Sequence, residues 1–95
     1  MRNLALIGGG YWGKNLVRDF YNLGALHTVC DINTELLSSH KSNYPEIETT
    51  TDWDTVLCSA HIDRVCIALP AHLHYIFAKK SLEAGKHVYV EKPIT

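Results

Sequence analysis

The chain has 95 residues, 46% of them hydrophobic and 20% charged, with a formal net charge of -1. That size and balance describe one globular unit with no room for a second domain. The near-neutral charge supplies no basic field for a nucleic-acid backbone or an anionic membrane surface, and no apolar run approaches the roughly 20 residues of a spanning helix, so neither partner is expected. Met1-Arg2-Asn3-Leu4 leads straight into a short apolar run and three glycines, without the apolar stretch and cleavage site of a secretory signal, so a cytoplasmic location is expected. Cys30, Cys58 and Cys66 are odd in number and form no C-x-x-C pair, which argues against a disulfide framework or a zinc knuckle; they read as small buried hydrophobes.

In chain order, Leu4-Ala5-Leu6-Ile7 is a continuous apolar run ending in glycine, the pattern of a parallel strand covered on both faces. Gly13, Leu16, Val17 and Phe20 then recur at helical spacing, with Lys14, Arg18 and Asp19 on another arc, which predicts a helix from residue 11 to about 22, stopped by Gly24. Leu26 to Cys30 is a second strand closing on Asp31. Thr34 to about Ser42 is a helix that must end before Tyr44-Pro45. A brief strand near Ile47 to Thr50 precedes a short helix with Trp53, Val56 and Leu57, capped by Thr51 or Asp52. Val65 to Leu69 is again wholly apolar and is ended by Pro70. Residues 72 to 84 form a helix with Leu73, Ile76 and Phe77 as its apolar positions, Gly85 lies past its end, and His87 to Val90 is the last strand. Five short strands with helices between most of them predict an α/β fold, a Rossmann-type doubly wound parallel sheet with right-handed crossovers.

Gly8-Gly9-Gly10-Tyr11-Trp12-Gly13 satisfies G-x-G-x-x-G between the first strand and the first helix, the context that gives this pattern its meaning. Gly8 allows the tight turn, Gly10 removes the side chain that would block a pyrophosphate, and Gly13 lets the helix pack near the strand, so that backbone amides face the phosphates. Trp12 either covers the cofactor or packs at the helix start, and Tyr11 sits beside it in the turn. Asp31 lies about 20 residues beyond the motif, where a carboxylate accepts hydrogen bonds from the adenosine ribose hydroxyls; its other reading is a capping or turn aspartate. Ile32-Asn33-Thr34 supplies no arginine for a 2′-phosphate, so NAD is favoured over NADP. His72 and His74 form an H-x-H with no third ligand nearby, and no metal site is read from them. Lys14 and Lys86 read as solvated surface charges.

Four stretches give the chain a likeness to a known family: Ala5 to Gly13, Val29-Cys30-Asp31, Ile67 to His74, and Ala84-Gly85-Lys86-His87-Val88-Tyr89-Val90-Glu91-Lys92-Pro93. Together these resemble the NAD(P)-binding Rossmann domain of the glucose-fructose oxidoreductase, inositol dehydrogenase and MocA family, and the likeness covers nearly all of the chain. It implies a cofactor-binding domain that works with a second, substrate-gripping domain on a sugar, polyol or nucleotide-sugar hydroxyl or carbonyl. It also implies that Lys92 contacts substrate and assists catalysis, that Glu91 and Pro93 shape the nicotinamide end, and that His74 is the family histidine after the fourth strand. The family often has Thr-Pro-Asn where this sequence has Leu69-Pro70-Ala71, so contacts at Leu69 and Pro70 are expected through the backbone. Read as a residue, Lys92 places an ammonium at the carboxyl end of a strand, where it stabilises an alkoxide or passes a proton, or is simply solvated.

The second domain and a sixth strand are expected to lie outside residues 1–95. The isolated chain is therefore expected to bind NAD weakly or not at all, to turn over no sugar, and to be a marginal monomer or to self-associate through the edge at His87 to Val90; a homo-oligomer is expected. Two rival readings stand: a non-catalytic nucleotide-binding module or fragment needing a partner chain, and an enzyme acting on a non-sugar substrate such as a cyclic imine or bile pigment.

Overall fold

The computed structural model describes residues 2–8, 10 and 13–90. The elements alternate along the chain: β1 (Leu4–Gly8), α1 (Lys14–Asn22), β2 (Leu26–Cys30), α2 (Thr34–Asn43), β3 (Glu48–Thr50), α3 (Trp53–Cys58), β4 (Arg64–Ala68), α4 (Ala71–Glu83) and β5 (His87–Val90). The strands form one sheet in the order β3-β2-β1-β4-β5, and every pair is parallel. Consecutive parallel strands need crossovers, and the helices supply them.

The apolar run of β1 is divided between two cores. Leu4 and Leu6 pack with Val17, Leu26, Val29 and Leu37, while Ala5 and Ile7 pack with Val56, Ile62, Val65 and Ile67. Alternate side chains of a strand point to opposite faces, so only a strand covered on both sides has an unbroken apolar sequence. Cys66 and Ile67 of β4 divide in the same way. In α1 the inward positions are Gly13, Leu16, Val17 and Phe20, with Lys14, Arg18 and Asp19 exposed, as their spacing predicts.

The boundaries follow local capping. The Asn33 side chain accepts from the amides of Glu35 and Leu36 and starts α2, and Asp52, rather than Thr51, caps α3 by accepting from Asp54 N at 2.9 Å. β4 begins and ends one residue earlier than its apolar run, because the exposed Arg64 pairs with Leu4 while Leu69 has left the ladder. In α4 the inward row is Leu73, Phe77 and Ser81, four residues apart; Ile76 falls beside it and is 50% exposed.

Two expectations are corrected. Cys30 and Cys66 are buried, but Cys58 is exposed at the end of α3, where the helix has turned its last residue from the sheet. Lys86 is not a solvated charge. It is only 7% exposed, and its Nζ donates to the carbonyls of Ser59, at 3.0 Å, and Ile62. Both carbonyls belong to the turn before β4, where Ser59 O also accepts from Ile62 N at 3.3 Å, and the lysine stem reaches across from the start of β5.

Candidate functional site

The described glycines of the turn differ in what they require. Gly8 and Gly10 have φ of 80° and 54°, the left-handed region where a Cβ is strained. A Cβ on Gly8 would stand 2.4 Å from Leu69 Cδ2 and 3.0 Å from the Ala68 carbonyl oxygen, so Gly8 is also the contact that lets β1 lie against the end of β4. A Cβ on Gly10 would meet nothing within 4 Å among the described residues. Gly13 is buried with ordinary helical dihedrals and opens α1 without any side-chain cap. Its dihedrals do not demand a glycine.

Asp31 leaves the end of β2, where its amide still continues the sheet by donating to Thr50 O at 3.1 Å. One carboxylate oxygen accepts from Asn33 N at 3.0 Å, and Asn33 in turn caps α2. This Asx turn holds the carboxylate at the rim of the sheet and occupies Oδ1 alone. Asp31 makes the turn that was one of its two readings, and it lines a slot together with Gly8. That slot, of about 190 Å³, is lined by Ile7 and Gly8 of β1, Cys30, Asp31 and Ile32 after β2, Thr51 and Trp53 at the start of α3, and Leu69, Leu73 and Phe77. It opens where β1, β2 and β4 end, the crevice at which open α/β sheets bind their ligands.

The β4–α4 loop is tied to its helix by His74, whose Nε2 donates to the Leu69 carbonyl at 2.6 Å. Pro70 caps α4 with extended ψ, and His72 is exposed. Among the described residues no three His, Cys, Asp or Glu side chains converge in a way that would hold a metal ion. Tyr11, Trp12, Glu91, Lys92 and Pro93 lie outside the described residues.

The electrostatics of the rim set neutral side chains beside the carboxylates of Asp31 and Asp52. Burial pushes the Cys30 thiol up to about 11, with Asp31 and Asp52 adding to the shift, so it stays protonated and apolar. On the other side of Asp31, His40 of α2 is held below the usual histidine value, chiefly by burial, with Lys14 adding and Asp31 opposing. Three features escaped the sequence: Trp53, Ile32 and Phe77 as walls of the slot. Trp53 and Phe77 carry no local signal, because they reach the slot only through the crossovers that bring α3 and α4 to one face, whereas Ile32 enters it straight from the end of β2 beside Asp31. A larger, shallow depression of about 540 Å³ between α2 and β3 includes Thr34, Lys41 and Thr50 but neither the glycines nor Asp31.

A glycine turn at a strand-to-helix junction, a rim aspartate and a switch point between β1 and β4 define a dinucleotide-binding Rossmann domain. Residues 2–95 match the model of the Gfo/Idh/MocA oxidoreductase family, NAD-binding Rossmann fold, and the chain belongs to that family. It is 33% identical to levoglucosan dehydrogenase of Pseudarthrobacter phenanthrenivorans over 102 residues, which cover 97% of this chain and 26% of that protein. A solved levoglucosan dehydrogenase in complex with NADH and L-sorbose is 31% identical with a TM-score of 0.73, over 94% of this chain and 26% of that one. The apo scyllo-inositol dehydrogenase of Lactobacillus casei is 29% identical with a TM-score of 0.86, over 99% of this chain and 29% of that one. The chain thus spans about a quarter of the length of such relatives and corresponds to their NAD-binding domain.

Proposed function

We propose that this domain holds NAD for a dehydrogenase that moves hydride between the nicotinamide and a sugar or polyol hydroxyl or carbonyl, the substrate being gripped by a second domain. One observation carries the reading: Gly8, Asp31 and the apolar slot meet at the ends of β1, β2 and β4. The bare backbone at Gly10 admits a diphosphate to the amides at the start of α1, where the helix dipole favours negative charge. Oδ2 of Asp31 accepts from the adenosine ribose, and its charge penalises a 2′-phosphate, which favours NAD over NADP. Leu69 and Pro70 border the cofactor through their backbone, and His74 acts by fixing Leu69. Tyr11 and Trp12 flank the diphosphate. Glu91 and Pro93 shape the nicotinamide end, and Lys92 steadies the developing alkoxide or relays its proton. Hydride chemistry belongs to the cofactor when bound.

Relatives that act on levoglucosan and inositol support a sugar or polyol as substrate class. No helix of the described residues is long and apolar enough to cross a membrane; a cytoplasmic homo-oligomer completes the proposal. The 95-residue chain should bind NADH weakly and oxidise no sugar. Titration followed by NMR tests this. Asp31→Asn keeps the Asx-turn oxygen but removes the charge, and should weaken NADH by roughly tenfold, the worth of a charge-assisted hydrogen bond, while narrowing the gap to NADPH. Equal NADH affinity in the variant overturns the assignment.

A further inference from the structure

The helices α1 and α2 lie side by side on one face of the sheet, where Val17 and Leu37 share a core. The groove between them, of about 300 Å³, receives Lys14, Asn15 and Arg18 from α1 and Ser39, His40 and Asn43 from α2. Spacings of three and four residues turn these side chains toward one another. The groove includes neither the glycines nor Asp31, so it is separate from the slot at the strand ends. His40 stands at its floor, one turn beyond Leu36, where an apolar residue would complete the packing, and it is only 7% exposed. Its ring has no hydrogen-bond partner among the described residues; burial and the charges of Asp31 and Lys14 act on it. A buried imidazole without a partner calls for an explanation. Among the described residues the side-chain atom both sealed and unpartnered is Trp53 Nε1, so the His40 ring is open to the groove it lines.

Charge decides the class of ligand. Two cations and the histidine line the groove, and none of the described residues lining it is acidic. Arg18 bonds Asp19 through Nε, a bridge that does not use the terminal nitrogens of its guanidinium. We propose that the α1–α2 groove is a second ligand site, which takes a phosphate group, free or carried on a small polyhydroxyl compound, between Lys14, Arg18 and His40. A carboxylate has two oxygens for three donors, whereas a tetrahedral phosphate presents one to each. The phosphate fills only part of the volume, which stands at the lower end of the roughly 300–1,000 Å³ of small-molecule sites. Asn15, Ser39 and Asn43 line the rest with amides and a hydroxyl, groups that pair with ligand hydroxyls.

Orthophosphate, glucose 6-phosphate and glucose are titrated against the chain by NMR, with sodium chloride at equal ionic strength as the reference. Both phosphates should shift the His40 ring signals and raise its pKa, since a neighbouring anion favours the protonated imidazole; glucose and chloride should do neither. Tighter binding of glucose 6-phosphate marks an ester as the ligand, and equal affinity marks free phosphate. Arg18→Gln alters a side chain that is 56% exposed, so the fold is kept, and it should weaken phosphate roughly three- to tenfold. Arg64→Gln removes the same charge from β4 and should leave the affinity unchanged. Equal losses in the two variants, or a His40 response that chloride reproduces, mark a diffuse field and overturn the proposal. So does a response confined to the amides at the start of α1 with the His40 ring unmoved, or no response at all, either of which makes His40 a packing residue. The groove shares no residue with the slot, so these failures leave the nucleotide reading standing.

Discussion

At the amino end of the sheet the Lys86 ammonium lies buried against the carbonyls of Ser59 and Ile62, whereas at the carboxyl end Trp53, whose buried Nε1 has no acceptor among the described residues, lines an open slot. The first region uses a charge to complete the backbone's hydrogen bonding. The second withholds side chains, by glycine at positions 8 and 10, and keeps a carboxylate oxygen of Asp31 uncommitted to the turn. A parallel sheet explains the division: its strand ends and helix N-termini all face the same way, so one rim gathers amides and dipoles for a ligand while the other is sealed.

The division breaks most readily at Lys86. Lys86→Met keeps the stem but takes the donor from the Ser59 and Ile62 carbonyls, of which Ser59 keeps only the Ile62 amide at 3.3 Å, and should lower stability by about 3 kcal/mol, read by urea unfolding, with NADH affinity unchanged in the folded fraction. A loss under about 0.5 kcal/mol would mean water satisfies those carbonyls and the amino rim is not sealed.

Gly8→Ala sharpens the contrast from the other end. The left-handed backbone and the approach to the Ala68 carbonyl should cost about 2 kcal/mol. Unlike Lys86→Met, it should also weaken NADH binding at least tenfold, because the β1 end must shift. Unchanged affinity would detach the turn from the ligand.

The smallest effect is electrostatic. A histidine whose folded pKa lies below the usual 6.5 binds fewer protons folded than unfolded as pH falls below that value. Stability should therefore be flat above about pH 6.5 and decline as pH falls toward the folded pKa of His40. His40→Gln should flatten the decline, and Asp31→Asn should steepen it, since Asp31 favours the protonated ring. Identical thermal-melt profiles from pH 5 to 8 for all three proteins would place His40 outside the field of the rim.

Much of this was legible in the residues. The split of the β1 run between two cores follows from its being apolar at every position, and the helical arcs of α1 gave its inward face to within single residues. Asp31 was legible because it sits at a fixed distance along the chain from the glycines. Lys86 and Cys58 were misread for one reason: burial of a lone side chain depends on what the far end of the chain brings over it, and neither residue has a periodic neighbour to show that.

Local spacing by itself determined the alternation of strands and helices, the glycine turn and the place of Asp31 just after β2, because those features involve atoms within one turn or one crossover. Only the tertiary structure decided that Trp53, Ile32 and Phe77 share a slot with Gly8, and that a lysine from the start of β5 completes the turn before β4. Such contacts join residues 24 to 69 positions apart, and their geometry exists only once the helices have been laid on the sheet.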